Sequence, residues 1–182
     1  LVAITIPLWG PFADKIVQKN QGIDTFLGLA IHEGCHVLYT DFSAYKGITN
    51  GIVKFIENIL EDERIERELG QNKPGLANFL KASKYYYFDR YSQKMKDEGK
   101  TEGLETFPRL MNAIISLVRY PKTVEMSDLE EFADTLLQVR ELLTPYPAST
   151  AQCVETAEKI FEIIKQYLQD EEKEKQKQQA SD

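Results

Sequence analysis

Cysteine is scarce. The 182-residue chain holds two, Cys35 and Cys153, too few for a disulfide framework. A reducing, cytoplasmic setting is therefore the expectation. Basic charge is in deficit, with 22 Lys+Arg against 29 Asp+Glu and a net charge of -7. Duplex-binding modules carry the opposite surplus, so nucleic acid is not expected as a partner. No apolar run approaches the ~18 to 20 residues a membrane helix needs, and no membrane partner is expected. The opening Leu1–Trp9 is short, lacks a basic flank and is broken by Pro7, which argues against a signal peptide. A chain that starts at Leu1 rather than Met is expected to be a processed product or an excised domain. Hydrophobic residues make up 42% of the chain, a globular composition that supports a core of its own without staples.

The pattern along the chain predicts a mostly α protein with minimal β. Residues 1–9 read as one short strand, rich in Val, Ile and Thr and closed by Pro7 and Gly10-Pro11. Residues 12–19 fit a helical turn or two. Asp24 is an N-cap for a helix over 25–39, with Leu27, Ile31, Cys35 and Leu38 near one face. A second helix is expected from Ile52 to Leu69, stopped by Gly70. A third carries Leu76, Phe79, Leu80 and the Tyr85–Phe88 cluster, and the polar stretch 94–105 reads as a loop. Helices then follow over 108–119, from a Ser127/Glu130 capping box to Leu143, and from Ser149 or Thr150 through Leu168. Residues 1–169 form the expected domain. Residues 170–182, with no apolar anchor in Asp170–Gln179, read as a charged helical extension or a linker.

Histidine is as rare as cysteine, and both copies fall together in His32-Glu33-Gly34-Cys35-His36. Residues four apart share a helix face, so both imidazoles can point at one ion. Glu33 lies about 100° around the helix from His32, a place suited to a general base acting on a metal-activated water. The bland alternative is a pair of histidines on a capped or exposed face with Glu33 as a solvated charge. A third ligand is needed, and the acidic stretch Glu57–Glu66 supplies candidates. Acidic runs on helices are usually solvated faces, but Ile59, Leu60 and Ile65 put apolar residues on several sides of this one. Cys35 is expected in the core rather than on the metal.

These two motifs resemble zincin metallopeptidases of the gluzincin type. The pattern of His32-Glu33-x-x-His36, Thr40-Asp41-Phe42 and Asn58-x-x-Glu61-Asp62-x-Arg64-Ile65-Glu66 more narrowly resembles a metallopeptidase domain of bacterial and phage proteins. Those proteins also carry a von Willebrand factor A domain and include relatives of the cobalt-chelatase subunit CobT. The resemblance covers residues 23–69. It implies a zincin-like fold, an active-site helix plus a glutamate helix with a small N-terminal strand element. It implies Zn²⁺ held by His32, His36 and Glu61, with Glu33 as base and a protein or peptide as substrate. Asp62 and Glu57 are the alternative ligands, and Asp62 alternatively orients a ligand imidazole by a hydrogen bond. Better-known gluzincins show Glu followed four residues later by Asp, whereas Glu61 and Asp62 are adjacent. An oxyanion stabiliser is expected among the later aromatics and basics, with Tyr86 and Arg90 chosen, although aromatics at this spacing usually serve a core. The competing expectation is an interaction module of zincin fold, with structural metal or none, that works with a von Willebrand factor A domain or an AAA+ ATPase.

Overall fold

The computed structural model describes residues 21–97, 106–120 and 130–179, with the backbone alone for 21, 22, 87–97, 178 and 179. Among the described residues there are six α-helices and no strand: α1 (Gln21–Tyr39), α2 (Gly51–Asn72), α3 (Pro74–Asp97), α4 (Thr106–Arg119), α5 (Ala133–Leu142) and α6 (Thr150–Gln179). The mostly α expectation holds for them. The expected strand 1–9, the turn at 12–19, the Ser127 cap and residues 98–105 of the expected loop lie outside the described residues. No helix there is long and apolar enough to cross a membrane.

Helix ends follow local chemistry. α1 starts at Gln21, before the expected cap, so Asp24 sits in the first turn, where a carboxylate complements the helix dipole. Asn50 caps α2, its Oδ1 accepting from the N–H groups of Ile52 (2.9 Å) and Val53 (3.3 Å). α2 passes through Gly70 and ends at Asn72. The expected stop at Gly70 is thus displaced to Pro74, which takes the first position of α3, where its missing N–H costs nothing. α3 runs on to Asp97. Residues 94–97, expected in a loop, extend it, and Lys94, Met95 and Lys96 are good helix formers. Glu130 lies in a 3₁₀ turn before α5. At α6, Ser149 is the cap, accepting from the Gln152 N–H at 3.3 Å. The charged end of α6 stays helical to Gln179, laced by Lys173–Asp170 and Lys175–Glu171 pairs.

The chain divides into two compact units, with the division falling inside the continuous helix α2. In the first, 21–40 and 64–97, the core is small: Cys35, Ile65, Leu69 and Leu80 with Ile31 and Tyr39 against them. α1 and α3 touch closely at Gly28. A Cβ there would lie 2.2 Å from the Phe79 carbonyl oxygen, so only glycine permits this approach. Consequently α1 buries the face of Thr25, Gly28 and Cys35. Of the expected face, Cys35 is buried and Ile31 packs against the core, whereas Leu27 and Leu38 are exposed, Leu38 at 70%. In the second unit, 41–63 with 106–120 and 130–179, α4, α5 and α6 enclose a larger apolar core with Ile56, Ile59 and Leu60 of α2. There Arg119 pairs with Glu63 at 3.4 Å, both largely buried.

Candidate metal centre

Periodicity puts His32 and His36 on one side of α1, and packing fixes their rings. The ring centroids are 4.9 Å apart and edge-on, at 85°. His32 Nδ1 lies 2.9 Å from Glu66 Oε1 of α2. His36 Nδ1 lies 3.1 Å from Thr40 Oγ1, one turn further along its own chain. With both Nδ1 atoms so engaged, Nε2 is the nitrogen each ring would offer a cation, and a carboxylate on Nδ1 also makes the imidazole a better donor.

Among the described residues, the group of three potential ligands that converges is His32, His36 and Asp62, with one donor atom of each within 4.8 Å of the others. All three are partly buried. Asp62 and Glu66 are four apart on α2 and share a face, so one carboxylate faces the two rings while the other holds His32. Two imidazoles and a carboxylate are the donor set that Zn²⁺ accepts in catalytic sites, leaving a position for water or substrate. The residues present therefore fit a zinc ion.

The other acidic residues have different placements. Glu61, the expected third ligand, is 0% exposed, and its Oε1 accepts from Thr150 Oγ1 at 2.9 Å. Thr150 in turn accepts from the Asp41 N–H at 3.0 Å. Glu57, one turn before Glu61 and also buried, accepts from the Tyr45 hydroxyl. Burial, followed by the charges of Glu57 and Glu61, pushes the Tyr45 phenol well above its usual range. These carboxylates thus serve the second unit's interior. Glu33 is exposed on α1, open to an incoming water. Cys35 lies in the small core at 1% exposure, as expected. Burial first, then the charges of Glu66 and Glu68, pushes its thiol up to about 11.

Arg64 is almost fully buried and ties the two motif helices. Its guanidinium donates to the Tyr39 carbonyl at 2.7 Å and to Glu68 Oε2 at 2.8 Å. The first bond satisfies an orphan carbonyl at the end of α1 and so fixes the stretch that carries His36. Tyr86 sits half-buried on α3, and Arg90 lies further along the same helix. The Arg90 side chain lies outside the described residues.

Sequence reasoning did not assign roles to Glu66, Thr40 or Thr150. The first had a readable signal. Asp62 and Glu66 repeat the four-residue spacing of a ligand carboxylate and an orienting carboxylate, with the residue types exchanged. Thr40 also stands four after His36. Thr150 is remote in sequence, and nothing local announces it. No protein-family model matches the chain, and no curated protein or solved structure matches it.

Proposed function

We propose that this protein is a zinc-dependent metallopeptidase of zincin type, with His32, His36 and Asp62 as the metal ligands. The observation that carries the reading is the convergence of those three donors within 4.8 Å, on rings whose other nitrogens are already held. Asp62 replaces Glu61 in this assignment because Glu61 is committed to Thr150 inside the second unit. Glu66 then acts as the carboxylate that orients a ligand imidazole.

Bound zinc would supply Lewis acidity, polarising a scissile carbonyl and making water acidic near neutral pH. The chain's own residues do the rest. Glu33 takes the proton from the attacking water and delivers it to the leaving amine. Glu66 and Thr40 keep the imidazoles in the tautomer that faces the ion. Arg64 holds the end of α1 against α2, so the ligand spacing survives thermal motion. Tyr86 and Arg90 are the residues proposed to steady the oxyanion. The substrate class is a protein or peptide, and the working compartment is the cytoplasm.

Glu33→Gln separates this reading from the interaction module, whose partner would be a von Willebrand factor A domain or an AAA+ ATPase. In a peptidase, the variant keeps its zinc and loses hydrolysis of a quenched-fluorescent peptide library by about 10²-fold or more. Zinc-dependent cleavage unchanged in Glu33→Gln would contradict the assignment. Zinc binding with no cleavage by the unaltered protein would favour the module.

A further inference from the structure

The partner of His32 has a partner of its own. Glu66 uses Oε1 for His32 Nδ1 at 2.9 Å, and its Oε2 lies 3.7 Å from Lys84 Nζ of α3. The three side chains are 17%, 11% and 16% exposed, dry enough that solvent screens the pair only in part. A glutamate has three rotatable bonds, and contacts on both carboxylate oxygens restrain its plane more tightly than a contact on one. Lys84 stands next to Ser83, which meets α1 at Gly28, so the close approach of these helices brings the ammonium to this position.

We propose that Lys84 is a positioning residue for the His32 ring: through Glu66 it fixes Nε2 as the nitrogen presented to a divalent cation. Lys84 belongs to neither motif helix, and its use here rests on the metal reading above. A carboxylate turned squarely on Nδ1 accepts its N–H and selects the Nδ1–H tautomer. With Lys84 removed, the carboxylate samples other orientations and the ring populates both tautomers. Metal affinity falls because only one tautomer offers Nε2.

The test uses the full chain, first without metal. With two histidines in the sequence, a long-range ¹H–¹⁵N spectrum at about pH 8, above the ordinary imidazole range, contains ring nitrogens from His32 and His36 alone. The expected result is a single Nδ1–H tautomer for His32, a mixture in Lys84→Met, and restoration in Lys84→Arg. Zinc competition with a chelator should show about three- to tenfold weaker binding in Lys84→Met. In a Glu66→Gln background, Lys84→Met should add nothing further, since the effect runs through that carboxylate. An Nδ1-unprotonated His32 in the unaltered protein overturns the proposal. So does an unchanged tautomer and zinc affinity in folded Lys84→Met, or an equal loss in the Glu66→Gln background. Should the unaltered protein show the Nδ1–H tautomer yet bind no zinc, the metallopeptidase reading fails while the ring-positioning role stands.

Discussion

Each unit has its own means of holding its helices in place. In the second, sixteen buried apolar residues form one cluster among the described residues; in the first, four do. The first unit makes up the difference with polar pairings. Arg64 caps α1, Glu66 and Thr40 hold the imidazoles, and α3 is admitted at Gly28. A large apolar core tolerates the loss of any one contact in geometry, if not in energy. A small core framed by oriented polar groups fixes direction, which is what the two imidazoles of the first unit require. The acidic residues of α2 divide accordingly: Glu57 and Glu61 point into the second unit's network, while Glu66 serves the first.

That contrast can be broken from either side. The largest effect is expected in the big core. Leu60 is fully buried, and Leu60→Ala should lower unfolding free energy by about 2–5 kcal/mol in denaturant melts. Its folded fraction should bind zinc as before. Zinc should act the other way. At about 100 times its dissociation constant it should add about 2.7 kcal/mol of stability to the unaltered protein. His36→Ala should abolish that gain in the same melts, and a full gain in His36→Ala would detach the ion from this site.

Gly28→Ala should cost about 1–3 kcal/mol by forcing the added methyl against the Phe79 carbonyl. Unlike Leu60→Ala, it should also weaken zinc binding, because α1 carries both imidazoles. Equal zinc affinity in both variants would erase the distinction between the units.

A smaller effect comes from Cys35. Its thiol is raised from 9.0 to about 11 by burial and by Glu66 and Glu68. The native state therefore keeps a proton that the unfolded chain releases. The stability this provides is complete below pH 9.0 and is lost as pH rises toward about 11. Between those values the unaltered protein should lose stability more steeply than Cys35→Ala, as read from denaturant midpoints. Parallel slopes would place that thiol in water.

Much of this was legible in the sequence, for physical reasons. His32 and His36 announce a shared face through their spacing alone, and the helices of α2, α4 and α6 follow from apolar periodicity. The buried face of α1 was legible only at Ile31 and Cys35. Leu27 and Leu38 have the right hydropathy, but packing is decided by where α3 can come close, and that depends on a missing side chain at Gly28. The choice between Glu61 and Asp62 was equally hidden. Adjacent residues on a helix point about 100° apart, and which direction meets Thr150 and which meets the histidines is set by chain segments far away in sequence. Ser149 and Thr150 show the same limit. Either suits a helix cap, and only the tertiary position of Glu61 reserves the threonine for the interior.

The most direct test is zinc content and affinity in the full chain, compared for Asp62→Ala and Glu61→Gln with helicity monitored by circular dichroism. The account predicts a single zinc in the unaltered protein, its loss in folded Asp62→Ala, and its retention in Glu61→Gln. Retention in Asp62→Ala with loss in Glu61→Gln, or no zinc in the unaltered protein, would contradict it.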